Sequence, residues 1–298
     1  MMQNKLCLGT AQLGMCYGIK NELKRQPSQK ESYAILEKAI AGGIDTIDTA
    51  SAYGEAEELL GSFGIGNYKV VVISKVQFSE KERIIKPPKT WIREKVYRSL
   101  SCLKISRLEG LLLHTAADFY DQNLMEELLR LKEEKLVKYI GVSIYTEKDA
   151  IAVIKSRQMD LIQIPYNVLD QRLEKNTFFK IARKNNVRVF ARSAFLQGLL
   201  LFHPDNIPIH LKRAEQYVRE FERIAYKHGF SKKEAAFLFN YSHPEIDKVV
   251  FGVDTLKQLE ENLKILEKLD NFDACRKELI QFFRNRNIEE EILLPNLW

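Results

Sequence analysis

Short apolar runs alternate along the chain with longer segments in which apolar residues recur every three or four positions. Short runs of this kind are typical of strands in a parallel sheet, and the longer spacing is typical of amphipathic helices. The predicted strands cover residues 6–9, 44–49, 70–75, 108–114, 139–144, 161–165, 188–193 and 248–252. A helical segment follows each strand, so the pattern predicts repeated β-α units.

Local signals mark where several of these helices begin. Ser28 with Glu31, and Ser231 with Glu234, have the spacing of a capping box. Thr146 is a predicted N-cap.

Eight β-α units without a linker rich in Pro, Gly or Ser predict an α/β fold with a single (β/α)8 TIM barrel. We expect one domain over residues 1–298, with a C-terminal helix and tail from about residue 270. The alternative is an open, doubly wound sheet, which is weakened because no Gly-x-Gly-x-x-Gly motif follows the first strand. In a barrel, chemistry takes place where the strands end and the following loops begin.

Composition and charge narrow the class of partner. The 298 residues include 46 Lys and Arg against 40 Asp and Glu, a formal net charge of +6. The charges form no long run, so neither a nucleic-acid nor a membrane partner is predicted, while an anionic small molecule is compatible. Four cysteines without a Cys-x-x-Cys motif predict reduced thiols, and no His or Cys spacing predicts a metal site. Residues 1–5 show no basic leader, and no window has the ~18 apolar residues of a membrane helix, which predicts a cytoplasmic protein.

Four polar side chains stand at the ends of three consecutive predicted strands. Asp48 and Tyr53 follow the second strand, Lys75 ends the third, and His114 ends the fourth. A cationic lysine beside a tyrosine favours the phenolate, a carboxylate holds that lysine, and a histidine orients a substrate oxygen. Taken singly, each has a structural alternative: a helix cap, a rim aromatic, a solvated strand end or a histidine under a loop. Together, on neighbouring strands of one barrel, they predict a proton donor for a carbonyl that becomes an alcohol.

The segment around the first two of these residues resembles a known family signature. Residues 43–54 read GIDTIDTASAYG, which resembles the signature of the aldo-keto reductases. Further blocks resemble that family in order, namely LGT at 8–10, ISK at 73–75, LLH at 112–114, GVS at 141–143, QIPYN at 163–167, and Gly252 leading to QLEEN at 258–262. The resemblance spans almost the whole chain.

The resemblance implies an NAD(P)H-dependent oxidoreductase that reduces an aldehyde or ketone, with a sugar-derived carbonyl as one candidate substrate. Tyr53 would be the general acid, Lys75 and Asp48 would tune it, and His114 would position the carbonyl. Ser143 and Gln163 would hold the nicotinamide carboxamide, and Thr10 would lie near the nicotinamide end. The remaining residues implied for the cofactor are Arg192, Ser193, Gly252, Asp254, Gln258, Glu261 and Asn262, with Ser193 at the pyrophosphate and Glu261 and Asn262 at the adenine.

Three positions depart from the family pattern. Ile144 stands where many members have Asn, which removes a hydrogen bond. Arg192 replaces an aromatic that stacks on the nicotinamide, and it could replace that stacking, recognise an acidic substrate or make a structural ion pair. Asp254 stands where members that prefer NADPH carry Arg, Lys or Ser, and Lys257 is the nearest cation in sequence. Because a carboxylate repels a 2′-phosphate, we expect NADH to be used at least as well as NADPH.

Two other functions fit the same residues. Lys75 could form a Schiff base in a lyase, provided that its pKa is depressed. The chain could also be a non-catalytic, nicotinamide-sensing regulatory subunit. A monomer is favoured over an oligomer. The C-terminal Trp298 could reach a ligand at the barrel mouth, or the tail could simply cover the side of the barrel.

Overall fold

Eight parallel strands, each hydrogen-bonded to the next, close into a barrel in the computed structural model, which describes residues 4–85 and 87–298. The strands are β1 (Leu6–Gly9), β2 (Thr46–Asp48), β3 (Val71–Val76), β4 (Leu108–Leu113), β5 (Val137–Ser143), β6 (Leu161–Pro165), β7 (Arg188–Arg192) and β8 (Lys248–Phe251). Leu8 on β1 pairs with both Ile47 on β2 and Phe251 on β8. This closure confirms the (β/α)8 barrel and excludes the open, doubly wound sheet.

Helices follow the strands and form the outer layer. They are α1 (Ala11–Gly14), α2 (Gln29–Ala41), α3 (Ala56–Phe63), α4 (Glu80–Ile85), α5 (Pro88–Leu103), α6 (Ala116–Phe119), α7 (Gln122–Glu133), α8 (Glu147–Ser156), α9 (Phe178–Lys184), α10 (Glu215–Lys227), α11 (Lys232–Tyr241), α12 (Leu256–Ile265), α13 (Asp273–Phe283) and α14 (Glu290–Leu293). Short 3₁₀ helices cover Ile65–Asn67, Arg172–Lys175, Leu196–Leu201, Pro204–Asn206, Ile209–Ala214, Leu266–Asn271 and Pro295–Leu297. In the described part of the chain, no helix combines the length and apolarity needed to cross a membrane.

Side chains fill the interior of the barrel. The inner cluster consists of Cys7, Ile73, Leu112, Leu161, Phe190 and Val250, all buried. A second, larger cluster lies between the strands and the helices. Because the lower part of the barrel is packed solid, a small molecule can enter only from the end where the strands finish.

The predicted capping signals are present. Ser28 and Glu31 form a capping box before α2, and Ser231 and Glu234 form another before α11. The side chain of Thr146 accepts a hydrogen bond at the start of α8.

Strand boundaries differ from the predictions by a few residues. β2 begins at Thr46 rather than at residue 44, because the backbone N–H of Ile44 donates to Ala39 in the turn that ends α2. β5 begins at Val137, two residues before the predicted start, because Val137 pairs with Leu108 on β4. The helix predicted near the C-terminus corresponds to α13. Residues 1–3, part of the segment in which no basic leader is predicted, lie outside the described residues.

Candidate active site

A cavity of about 730 Å³ opens at the ends of the strands. Twelve of the fourteen predicted site residues line it: Asp48, Tyr53, His114, Ser143, Gln163, Arg192, Ser193, Gly252, Asp254, Gln258, Glu261 and Asn262. Lys75 and Thr10 lie beneath its floor, with relative exposures of 1% and 0%. Residues from β2, β4, β5, β6, β7 and β8 or the loops that follow therefore converge on one space.

Lys75 and Asp48 form a buried ion pair under this floor. Lys75 Nζ lies 2.5 Å from Asp48 Oδ2 and donates to the carbonyl oxygen of Thr49 over 3.0 Å. The hydroxyl of Thr10 donates to the backbone carbonyl of Asp48, which fixes the end of β2. Burial opposes the charge on Lys75, but the charges of Asp48 and Tyr53 and their hydrogen bonds outweigh it and raise the pKa of Lys75. Lys75 is therefore a permanent cation at neutral pH.

Tyr53 lies directly over this cation. Its ring centroid is 4.9 Å from Lys75 Nζ. Gly14 has no room for a side chain against the carbonyl oxygen of Tyr53, and Gly54 takes a positive φ of 53°. Because Gly14 has no Cβ, α1 packs directly against the loop that carries Tyr53. This contact fixes the position of the Tyr53 ring over Lys75.

His114 stands edge-on to Tyr53 at the other side of the floor. The two ring centroids are 5.8 Å apart with an interplanar angle of 80°. Its Nδ1 is buried and has no hydrogen-bond partner among residues 4–85 and 87–298. Desolvation, followed by the charges of Lys75 and Arg192, lowers the pKa of His114 to about 3. The imidazole is therefore neutral, with hydrogen-bonding capacity left for a ligand.

Gln163, predicted to hold the cofactor, lies on β6 and contacts the buried Lys75–Asp48 pair. Its Nε2 donates to Oδ1 of Asp48 over 2.8 Å, and it lines the cavity near Ser143. The sequence analysis gave Gln163 a role toward the nicotinamide only. No pattern of spacing indicates a contact between β2 and β6, because it arises from closure of the barrel.

Arg192 reaches from the end of β7 across β6 toward the loop after β5. Its Nη2 donates to the carbonyl oxygen of Ile144 over 3.1 Å, and its Nη1 donates to Ser193 Oγ over 3.2 Å. The guanidinium carbon lies 4.2 Å from the ring centroid of Tyr145. The side chain of Ile144, one of the departures, is 1% exposed in the core, and the cavity is lined instead by Tyr145, which the sequence analysis missed.

Residues 17–22, here called the strap, run along the cavity and were also missed. Asp254 accepts hydrogen bonds from Asn21 Nδ2 over 3.1 Å and from the backbone N–H of Glu22 over 3.2 Å. Tyr17 accepts from Gln197 Nε2, and Lys20 Nζ donates to the carbonyl oxygen of Leu201. The strap thus joins the loops after β1, β7 and β8. In a (β/α)8 barrel the loops that follow the strands surround the active site, so a loop after β1 is expected near the cavity. No sequence motif within residues 17–22 indicates that this segment contacts it.

The far end of the cavity is rich in lysines and amides. Lys20, Lys232 and Lys233 line it, together with Gln258 and Asn262. The Oδ1 atom of Asn262 is buried without a partner in the described part of the chain. Lys257, by contrast, is 85% exposed at its side chain and does not line the cavity.

Four further residues lie around the cavity: Glu261, Gly252, Pro295 and Asn296. Glu261 pairs with Lys233 over 2.6 Å. Gly252 leaves room for the side chain of Gln12 against the end of β8. Of the C-terminal tail, Pro295 and Asn296 line the cavity.

Trp298 is not among the residues that line the cavity, and it packs against the larger core cluster. Its Nε1 donates to the carbonyl oxygen of Glu291, within the tail itself. Of the two outcomes expected for the tail, its contact with the mouth therefore comes from Pro295 and Asn296 and not from Trp298. Among residues 4–85 and 87–298, no group of His, Cys, Asp and Glu side chains could hold a metal ion.

Comparisons with known proteins identify the family and the fold of the chain. The model of the Aldo/keto reductase family matches residues 5–277. An uncharacterized oxidoreductase, YqkF of Bacillus subtilis, is 25% identical over 255 residues, which are 79% of this chain and 82% of that protein. Aldo-keto reductase str7 of Strobilurus tenacellus is 23% identical over 283 residues, covering 86% of this chain and 81% of its own. The holo structure of aldo-keto reductase AKR11C1 from Bacillus halodurans superposes with a TM-score of 0.77 at 22% identity, covering 97% of this chain and 94% of that one.

Proposed function

Because the chain belongs to the aldo/keto reductase family of carbonyl oxidoreductases, we propose that it reduces an aldehyde or ketone to an alcohol with NAD(P)H, using Tyr53 as general acid. One observation carries this proposal. Tyr53 lies between the buried Lys75–Asp48 pair and a neutral His114, and all four side chains face or support one cavity.

The residues around Tyr53 can move a proton to a carbonyl oxygen. A bound reduced nicotinamide supplies the hydride to the carbonyl carbon. The Tyr53 hydroxyl donates its proton to the oxygen as negative charge develops there, and the Lys75 ammonium stabilises the phenolate that remains. Asp48 keeps Lys75 in place, and the neutral imidazole of His114 donates a hydrogen bond to the same oxygen.

The residues of the cavity suit a dinucleotide. Of the three lysines at the far end, Lys232 and Lys233 are paired with Glu222 and Glu261, and Lys20 offers its charge to a phosphate. The unpartnered Oδ1 of Asn262 can accept from an adenine amino group. Ser143 and Gln163 would hold the carboxamide, Ser193 the pyrophosphate, and Gln258 and Glu261 the adenosine end. Thr10 would act from below the floor, through the backbone of Asp48.

We further propose that NADH serves at least as well as NADPH. Asp254 is 6% exposed and lines the cavity, and its hydrogen bonds come from the neutral groups of Asn21 and Glu22. No cation within ion-pair distance neutralises Asp254 in the described part of the chain. An uncompensated carboxylate at this wall disfavours a 2′-phosphate.

The two alternative functions are weaker. A Schiff-base lysine must lose its proton, whereas Lys75 is buried against Asp48 with a raised pKa. A purely sensory subunit has no need of a proton donor, yet Tyr53, Lys75, Asp48 and His114 are assembled together. One domain over residues 1–298, a cytoplasmic location and a monomeric state stay predictions from the sequence.

The proposal is tested by fluorescence titration with NADH and NADPH in parallel, followed by a panel of aldehydes and ketones under saturating dinucleotide. We expect binding of both dinucleotides and turnover of at least one carbonyl. Tight binding without turnover over the whole panel would favour the sensory subunit, and binding of neither dinucleotide would refute the proposal.

A further inference from the structure

Arg192 is a cation in the cavity wall that no carboxylate neutralises. Three lysines at or beneath the cavity are paired with carboxylates, namely Lys75 with Asp48, Lys232 with Glu222, and Lys233 with Glu261, whereas Lys20 at the far end donates to the carbonyl oxygen of Leu201. Within residues 4–85 and 87–298, no carboxylate oxygen lies within 4 Å of the Arg192 guanidinium. A charge of this kind at a partly buried site is stabilised only when an anion joins it.

The guanidinium is held in a fixed orientation. The described hydrogen bonds of Arg192 go to the carbonyl oxygen of Ile144 and to Ser193 Oγ, and Tyr145 lies against its face. Because a guanidinium has five N–H donors, three remain for a ligand. A planar donor group that is already oriented binds a carboxylate or a phosphate without the loss of rotamer freedom that a flexible lysine would suffer.

The position of Arg192 favours an anion on the substrate over the phosphates of a dinucleotide. The guanidinium reaches toward the loop after β5, next to the strand that precedes His114, and its charge contributes to the lowered pKa of His114. At the far end of the cavity, Lys20 already provides a cation for the phosphates of the dinucleotide.

We propose that the carbonyl substrate carries an anionic group, a carboxylate or a phosphate, which Arg192 binds while Tyr53 and His114 engage the carbonyl oxygen. This inference rests on the proposed reductase function. It assigns Arg192 to the substrate and not to the dinucleotide, which departs from the cofactor role that the family resemblance implies.

The test compares charged and neutral substrates of the same length. ω-Oxo carboxylates with two to six carbons are measured against their amides, and glyceraldehyde 3-phosphate is measured against glyceraldehyde. The protein is used as wild type, Arg192→Met, Arg192→Lys and Arg213→Met. The last variant removes the same charge at an exposed residue outside the cavity and is the matched control.

We expect the wild type to prefer at least one charged substrate in kcat/KM by roughly 10- to 100-fold, the usual effect of charge-assisted hydrogen bonds. Arg192→Met should lower kcat/KM for the charged substrate and leave kcat/KM for the neutral one unchanged, so the preference disappears. Arg192→Lys should recover part of the preference. The arm that shows the preference identifies carboxylate or phosphate. Dinucleotide affinity should stay within about twofold of wild type in all variants.

Equal kcat/KM for charged and neutral partners at every length would overturn the inference while leaving the reductase function intact. So would a loss in Arg192→Met that is equal for both partners and accompanied by weaker dinucleotide binding, because Arg192 would then act on the cofactor.

The binding of anionic alcohols tests the Arg192 site even if no carbonyl substrate is turned over. Calorimetry of ω-hydroxy carboxylates and phosphorylated glycerol should show tighter binding than their neutral counterparts, lost in Arg192→Met and retained in Arg213→Met. If that pattern appears while no carbonyl is reduced, the anion site stands and the reductase proposal is wrong. If no anion binds better than its neutral counterpart, the anion site is refuted.

Discussion

Gln163 on β6 donates a hydrogen bond from Nε2 to Oδ1 of Asp48 on β2, over 2.8 Å, across the mouth of the barrel. Since a carboxylate only accepts hydrogen bonds, this contact fixes which end of the Gln163 amide faces Asp48. The other oxygen of Asp48 holds Lys75. One carboxylate therefore connects the cation beneath Tyr53 to an amide in the cavity wall.

Asp48→Asn should impair both catalysis and stability. The change leaves the Lys75 charge buried without its partner, which costs about 3–5 kcal/mol in unfolding free energy. It also leaves a single acceptor oxygen where Gln163 and Lys75 each had one, so we expect turnover to fall by roughly 10²-fold or more. Urea denaturation and steady-state kinetics measure the two effects.

Asp45→Asn is the matched control for Asp48. Asp45 pairs with Lys248, but its side chain is 47% exposed. A pair of this kind contributes about 0–1 kcal/mol, and its loss should leave turnover unchanged. Similar losses of stability in both variants would contradict the role given to the buried pair.

Tyr53→Phe should retain the fold and the dinucleotide and lose most turnover. The ring still packs over Lys75 and against His114, but no hydroxyl remains to donate a proton, so we expect kcat to fall by roughly 10²- to 10⁴-fold. Rapid-mixing kinetics and a fluorescence titration measure turnover and dinucleotide affinity separately. Tyr68→Phe, at a 40% exposed ring outside the cavity, is the control. Wild-type turnover in Tyr53→Phe would show that another group supplies the proton.

The sequence predicts the barrel and the floor of the site because both depend on position along a strand. Apolar runs give the strands, and the rule that strand ends converge brings Asp48, Lys75 and His114 together. Contacts between distant loops lack such a rule. The strap and the stacking of Arg192 on Tyr145 depend on how loops fold over the mouth, which alternation of apolar and polar residues does not encode.

Outside the cavity, His243 lies in the loop between α11 and β8. In the structure it is 3% exposed, and its Nε2 lies 2.8 Å from Glu174 Oε1, which also accepts from Tyr166. A single polar residue in a loop between a helix and a strand gives no signal of a buried partner 69 positions away. Such networks become visible only when the barrel brings β6 and the end of α11 together.

This network should contribute to stability in a pH-dependent way. Burial would raise the pKa of Glu174, but hydrogen bonds from His243 and Tyr166 outweigh it and lower the pKa to about 2. Because the folded pKa lies below the usual value of 4.5, the stabilisation is complete above pH 4.5 and is lost as pH falls toward 2. Tyr166→Phe should cost about 1–2 kcal/mol at pH 7 and leave KM unchanged. A stability equal to wild type would contradict this account.

His114 should destabilise the protein in acid. Its pKa of about 3 lies below the usual 6.5, so between these values the unfolded chain binds a proton that the folded protein does not. Stability then rises with pH across this window, by at most about 1.4 kcal/mol per unit from this group. His114→Gln should flatten that part of the profile, measured by denaturation between pH 3 and 7, and an unchanged slope would be inconsistent with a neutral imidazole.

Asp254 combines a charge with two hydrogen bonds to the strap, and two variants separate these roles. Asn21→Ala removes one of these two hydrogen bonds and keeps the charge of Asp254. Both dinucleotides should then dissociate faster, with the ratio of their affinities unchanged. Asp254→Asn removes the charge at a site that is 6% exposed, which should shift the affinity ratio toward NADPH by roughly 3- to 10-fold, as one unpaired charge near a 2′-phosphate would do.

Stopped-flow fluorescence gives the dissociation rates, and equilibrium titrations at two salt concentrations give the affinity ratio. The shift in Asp254→Asn should shrink at high salt because screening weakens the repulsion. If Asn21→Ala changes the ratio as much as Asp254→Asn does, the strap rather than the charge selects the dinucleotide.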